Sequence, residues 1–199
     1  MIHQGLKRIL EDEFHGAEFG EARHAQQALD LVARERWDVM ILDIELPGRG
    51  GLEVLKQIRA EHPKLPVIIF SMHSEEQFAV RAFKAGASGY LEKESAPAQL
   101  IEAIRKVIGG GRYVSQDLAE TLAAGLNTDL LRAPHEILSD REFEVLRMIA
   151  AGKTTTAIAE QLSLSAKTVS TYRTRILEKL HLKASSELVR YAVDHQLDR

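Results

Sequence analysis

Asp43 closes an apolar run, "DVMILD", and Ser71 closes a second, "PVIIFS". Lys93 ends a third, "SGYLEK". A charge at the edge of a core is costly unless something pairs with it. If the three runs are neighbouring strands, their ends bring a carboxylate, a hydroxyl and an ammonium group to one crevice. A carboxylate so placed is a nucleophile toward phosphorus and yields an acyl phosphate. The lysine neutralises phosphoryl oxygens, and the serine donates a hydrogen bond to one of them. The Pro47-Gly48 turn and Gly50-Gly51 are expected to keep the adjoining loop open. The same residues also allow a purely structural arrangement, with Asp43 and Lys93 as an ion pair and Ser71 capping the helix near Glu75.

A second set lies in "SAKTVSTYRTRILEKL". Val169, Tyr172, Ile176 and Leu180 share one helical face. Lys167, Ser170, Thr171, Thr174 and Glu178 take the other, flanked by Arg173 and Arg175. Short hydroxyls and positive charge can approach phosphates and base edges closely. The preceding helix, "TTTAIAEQL", is joined through "SLS", with Ser165 as N-cap. Two short helices, a tight turn and a helix with such a face make a helix-turn-helix. An ordinary amphipathic helix with a solvated face fits the periodicity equally well.

The elements that must position these residues follow from hydrophobic spacing. Ile2, Leu6, Ile9 and Leu10 mark a helix, "AEFGEA" a short strand, and Ala25, Ala28, Leu29 and Val32 a second helix ending near Trp37. "DVMILD" is a continuous apolar strand of the kind covered on both faces. Leu52, Leu55 and Ile58 mark the next helix, "PVIIFS" another buried strand, and Phe78, Ala82, Phe83 and Ala85 a helix capped by Gly86. "SGYLEK" and "PAQLIEAIRKVIGGG" complete the pattern, with Pro97 in the first helical turn. Repeated β-α units predict a doubly wound parallel sheet, in which ligands bind outside the carboxyl ends of the strands. Residues 112–137 read as a short helix and a polar linker containing Pro134. Every segment from Leu138 onward is helical, a compact α domain.

The 199 residues suffice for two small domains. There is no cysteine, which excludes disulfides, thiolate metal sites and cysteine catalysis. No apolar run approaches the roughly 18 residues of a membrane span, and the opening "MIHQGLKRILEDEF" is unlike a signal peptide. A cytoplasmic protein with no membrane attachment is expected. The net charge of −3 hides an asymmetry. Residues 134–199 carry 10 basic and 9 acidic side chains, and residues 153–183 carry 6 and 2. Positive charge confined to that stretch fits a small polyanion-binding surface.

"LDIELPGRGGLEVL", "FSMHSEE" and "AGASGYLEK" resemble the phosphoacceptor segment, the switch strand and the lysine-bearing strand of a response-regulator receiver domain. The resemblance covers residues 1 to about 122 and implies a flavodoxin-like fold. It makes Asp43 the phosphoacceptor, Ser71 the switch hydroxyl, Lys93 the phosphate-binding lysine and Tyr90 the switch aromatic. A half-buried strand tyrosine is the plainer reading of Tyr90. Magnesium is the implied cofactor, held by Asp43 and the backbone carbonyl of Glu45. The sequence departs from the receiver pattern at its start, where the first strand and its magnesium-binding acidic pair are missing. Glu11, Asp12 and Glu13 lie at the far end of their helix and do not replace that pair. Weak metal binding and an unpaired strand edge beside "DVMILD" are therefore expected.

"LSDREFEVLRMIAAGKTTTAIAEQLSLSAKTVSTYRTRILEKLHLKASSELVRYA" resembles the LuxR-type four-helix DNA-binding domain. The pairing is that of NarL/FixJ-type response regulators. It implies domain limits of 1–111 for the receiver, 112–135 for a helix and linker, and 136–199 for the DNA-binding domain. Thr154, Lys167, Thr168, Ser170, Thr171, Arg173, Thr174 and Arg175 are the implied DNA contacts. "KTTTAIA" departs from the Asn-Lys-Glu that family members often carry there, which removes one phosphate contact. The implied protein is not an enzyme but a transcription regulator. A histidine kinase phosphorylates it on Asp43, and it binds promoter DNA as a homodimer after release of a masked recognition face or dimerisation. A phosphate-independent regulator is the alternative within that class, and a phosphohydrolase with Asp43 as nucleophile the alternative outside it. Neither a second catalytic acid near Asp43 nor a substrate pocket is evident for the last.

Overall fold

The computed structural model describes residues 2–46, 49–72, 75–95, 97–115, 118–119, 134–195 and 197. The amino-terminal part contains α1 (Ile2–Glu13), α2 (Ala25–Arg34), β1 (Met40–Leu42), α3 (Gly51–Glu61), β2 (Val67–Ser71), α4 (Glu75–Lys84), β3 (Gly89–Glu92) and α5 (Pro97–Ile108). The strands form one parallel sheet in the order β1-β2-β3. Alternation along β2 sorts its side chains. Val67 and Ile69 join Leu29, Val32, Leu55 and Phe78 on one face, while Ile68 and Phe70 join Leu10, Leu100, Ala103 and Val107 on the other. Helices thus cover both faces, the doubly wound arrangement that the β-α pattern predicts. All five residues of β2 are buried.

Two expectations fail at the β1 side. "AEFGEA" is not a strand, and residues 17–22 are irregular. A strand needs a hydrogen-bonding neighbour, and among the described residues none lies beside it. Trp37 packs against Gly20 there: a Cβ on that glycine would stand 2.5 Å from the indole ring. In β1 itself only Leu42 is buried, and Met40 and Ile41 are half-buried. Among the described residues the strand pairs only with β2, so it is an edge strand rather than one covered throughout.

The carboxyl-terminal part is helical: a 3₁₀ turn (Pro134–Ile137), α6 (Asp140–Ala150), α7 (Thr155–Leu162), α8 (Ala166–Lys179) and α9 (Ser185–Asp194). Ser139 caps α6 through a full capping box with Glu142. Thr154 and Ser165 cap α7 and α8, accepting from Ala157 and Thr168. Between α7 and α8 the chain turns at Ser163, which has φ +53°. Most of the short helix and linker expected over 112–137 lies outside the described residues.

The two parts pack together through α4 and α6. Phe78 and Phe143 meet edge to face with centroids 5.2 Å apart. Arg81 donates to the carbonyls of Leu138 at 2.8 Å and His135 at 2.7 Å, and its guanidinium lies 4.2 Å above the Phe143 ring. Lys56 pairs with Asp140 at 2.6 Å. One apolar core runs through this contact, from α2 and α3 to Leu146, Ile158, Val169 and Leu188.

Candidate functional site

Parallel pairing in the order β1-β2-β3 sets the three chemically capable side chains at adjacent strand ends. Asp43 follows β1, Ser71 ends β2, and Lys93 lies one residue beyond β3. The Lys93 backbone N–H donates to the Ser71 carbonyl at 2.7 Å, which fixes the lysine beside the middle strand. Its ammonium pairs with Asp43 Oδ2. Asp43 Oδ1 accepts from the Glu45 backbone N–H at 3.1 Å. Ser71 is fully buried in the sheet. Tyr90 is also fully buried, rather than half-buried. The two readings of Asp43 and Lys93 describe one geometry, since the ion pair places the ammonium where an incoming phosphoryl oxygen would need it.

The loop after Asp43 is tight rather than open. Gly51 donates to the Ile44 carbonyl at 2.8 Å. A Cβ on Gly51 would stand 2.1 Å from the Asp43 carbonyl oxygen. Glycine here lets the first turn of α3 close against the Asp43 backbone. Pro47 and Gly48 lie outside the described residues. The next turn of the loop meets α6: a Cβ on Gly50 would stand 3.6 Å from Arg141 Nη1 and 3.8 Å from Glu144 Oε2.

Magnesium takes six oxygens in near-octahedral geometry, commonly with one or two carboxylates. The described residues do not fit it. Asp43 is the carboxylate of the site, and both its oxygens are engaged. The Glu45 carboxylate turns to Gln161 of α7. No group of three or more acidic or histidine side chains able to hold a metal occurs among the described residues.

The helix-turn-helix face is assembled and open. Lys167, Thr171, Arg173, Thr174 and Arg175 are exposed on α8, and Ser170 is half-buried. Val169 and Ile176 on the opposite face are buried, with Tyr172 half-buried. The Thr171 and Thr174 hydroxyls donate to the carbonyls of Lys167 and Ser170 at 3.0 and 3.2 Å, leaving their oxygen lone pairs outward. Thr154 and Thr168 are used locally. The first caps α7, and the second shares a hydroxyl contact of 2.8 Å with Ser165. Among the described residues the receiver meets α6, the 3₁₀ turn and, through Glu45, α7, and does not cover the exposed α8 face, contrary to the expected masking.

Sequence reasoning missed the contact between the two parts. Arg141, Glu142 and Glu144 are charged yet buried on α6. Arg141 pairs with Glu144 at 2.6 Å and donates to the Leu162 carbonyl at 3.1 Å, and Glu142 pairs with Lys179 at 2.6 Å. Arg147 lies 5.2 Å over the Phe78 ring and donates to the Leu197 carbonyl at 3.3 Å. Burial lowers its pKa, and the nearby Tyr90 and Glu45 work against that fall. The only sequence signal is a charge-rich first turn, "DREFE", which reads as a solvated helix start.

Residues 1–105 match the profile of the response regulator receiver domain. Residues 136–192 match the bacterial regulatory proteins of the luxR family. The chain is 35% identical to response regulator UvrY of Escherichia coli K12, over 99% of this chain and 91% of that protein. It is 39% identical to the transcriptional activator protein ExaE of Pseudomonas putida, over 100% and 94%. A structure of RcsB from Salmonella enterica serovar Typhimurium, bound to promoter rprA with phosphomimetic BeF₃⁻, matches with a TM-score of 0.62. The identity there is 26%, with 94% of this chain and 91% of that one covered. With the receiver match in one part, the luxR-family match in the other and relatives similar over nearly the whole length, the chain belongs to the two-component response regulators that join a receiver to a LuxR-type DNA-binding domain, and it is a DNA-binding transcription regulator.

Proposed function

We propose that this regulator is phosphorylated on Asp43 by a histidine kinase and binds promoter DNA in the cytoplasm as a homodimer, with α8 in the major groove. The observation that carries the reading is the exposed α8 face, with Lys167, Arg173 and Arg175 around Thr171 and Thr174. The arrangement is the one a recognition helix needs. Lys93 beside Asp43 supplies the positive charge that a phosphoryl group, with its added charge of roughly −1.5 to −2, would engage. The family's magnesium requires more oxygen donors than the described residues supply. No helix among the described residues is long and apolar enough to cross a membrane.

A phosphate-independent regulator is the second reading. It is favoured by the exposure of the α8 face together with the small oxygen donor set at Asp43. The test is selection from a random duplex pool, followed by binding of the selected site at several salt concentrations. Lys167→Ala or Arg173→Ala should weaken binding to every sequence and flatten the salt dependence by about one unit of slope per lost phosphate contact. Thr171→Ala or Thr174→Ala should change which site is preferred. Unchanged affinity and preference in all four would move the DNA surface off α8. Comparing selection before and after treatment with a histidine kinase and ATP, with Asp43→Asn as the control, separates the two readings.

A further inference from the structure

The phosphoacceptor and the DNA-binding domain are joined by a short line of polar contacts that passes through one residue. The Glu45 backbone N–H donates to Asp43 Oδ1 at 3.1 Å. Its side chain points the other way, and Oε1 accepts from Gln161 Nε2 of α7 at 3.4 Å. Gln161 Oε1 in turn accepts from Lys153 Nζ at 2.6 Å. Lys153 precedes Thr154, the N-cap of α7, whereas Gln161 lies in the last turn of that helix. The lysine is therefore drawn along α7, away from its amino-terminal end. In a helix-turn-helix the first helix crosses the DNA backbone, and a helix amino terminus is where phosphate is favoured. A lysine beside that end is worth a phosphate contact only when it is not held elsewhere.

We propose that Glu45 and Gln161 are positioning residues forming a relay that couples the state of Asp43 to Lys153, so that a change at the phosphoacceptor releases this lysine toward DNA phosphate. The proposal rests on the DNA-binding reading above and extends it. Glu45 is suited to the role because its backbone serves the receiver site while its side chain serves the other domain. Gly50, a few residues on, lies beside α6, where a Cβ on it would stand 3.6 Å from Arg141 Nη1 and 3.8 Å from Glu144 Oε2. At 3.4 Å the Glu45–Gln161 contact is the longest of the three. Hydrogen bonds weaken with length, so this link is the one that opens first. Release works without uncovering α8, which is already exposed.

The test uses the full 199-residue chain and a fluorescein-labelled duplex of random sequence, titrated across salt concentrations. Asp43→Ala removes the acceptor for the Glu45 N–H. It should tighten binding about 3- to 10-fold and steepen the log–log salt slope by about one unit, as one added phosphate contact requires. Gln161→Ala alone should give the same gain, and Asp43→Ala should then add nothing. Lys153→Ala should abolish both gains. In parallel, the side-chain amide resonance of Gln161 should move on Asp43→Ala in the unsubstituted chain and stay fixed in the Glu45→Ala background. A purely structural Glu45 would not produce that dependence. Equal effects of Asp43→Ala with and without Gln161, gains that survive Lys153→Ala, or no effect of Asp43→Ala would each overturn the relay. Failure of the unsubstituted chain to bind the duplex would instead overturn the DNA-binding reading.

Discussion

At Asp43 the residue chemistry was legible from sequence because strands have a fixed geometry. Apolar runs that end in Asp43, in Ser71 and just before Lys93 can share a crevice only if their strands are parallel neighbours, and they are. Gly51 was not legible. Its need arises from the approach of the α3 backbone to the Asp43 carbonyl, which no one-dimensional pattern encodes, and the glycine pair was read as an open loop. Gly51→Ala must push a Cβ into rigid backbone rather than a flexible side chain. It should cost about 1–3 kcal/mol in urea unfolding, and a change within about 0.5 kcal/mol would show that the loop yields. The donor set at Asp43 gives a second expectation. One carboxylate already bound by Lys93 and the Glu45 N–H is a poor magnesium ligand set. This 199-residue chain should incorporate little phosphate from acetyl phosphate and magnesium. Adding an apolar strand that ends in two aspartates should rescue labelling, and Asp43→Asn should abolish the rescue. Efficient labelling of the chain as it stands would mean that other carboxylates complete the site.

Among the elements, long periodic helices and the β2 and β3 strands were readable because each buries a face within one domain. "AEFGEA" misled because strand propensity has no effect without a paired neighbour. The carboxyl-terminal helix is a mixed case. In "SSELVRYAVDHQ", Leu188, Tyr191, Ala192 and His195 fall at helical spacing, a stripe of which part must pack on the domain while its end could meet a second copy. Leu188 and Ala192 are the part buried within the domain, Tyr191 is bonded to His135, and His195 at the end of the stripe is exposed. The apolar side chains of α9 left facing solvent are Val189, 37% exposed, and Val193, 52% exposed, one turn apart. Apolar side chains at that spacing suit a two-fold contact between copies, which would match two DNA half-sites about one turn apart. Val189→Glu with Val193→Lys should leave the melting temperature of the free chain nearly unchanged. It should weaken binding to a two-half-site duplex by about 10-fold or more while sparing a single half-site. Equal losses on both duplexes would place the dimer contact elsewhere.

For the whole molecule, the domain pairing was visible in sequence but the docking was not. It depends on α4 and α6, which are distant in the chain and each read as an ordinary amphipathic helix. The node of the contact is His135. Its carbonyl accepts from Arg81, its ring stacks on Phe143 at 5.7 Å, and His195 stands edge-on at 5.5 Å. The Tyr191 hydroxyl accepts from the His135 backbone N–H and lies 3.1 Å from Nδ1. With the ring neutral and its proton on Nε2, the Tyr191 hydroxyl can donate to Nδ1 while its oxygen accepts from the backbone N–H. Burial, together with His195 and Arg81, pushes the His135 pKa down to about 4, against a smaller upward pull from Glu136. The unfolded chain takes up this proton near pH 6.5. Between those values the unfolded state binds more protons, so the contribution is complete above about pH 6.5 and falls as pH drops toward about 4. The ring is only partly buried, which limits the loss to about 1–2 kcal/mol after screening by solvent. His135→Phe keeps the stacking and removes the titration. The stability difference between the unsubstituted chain and this variant, from urea melts at pH 7 and at pH 4.5, should therefore shift against the unsubstituted chain as the pH falls, while carboxylate effects common to both cancel. Parallel profiles would show that His135 titrates alike in both states and that the docking does not depend on its neutral form.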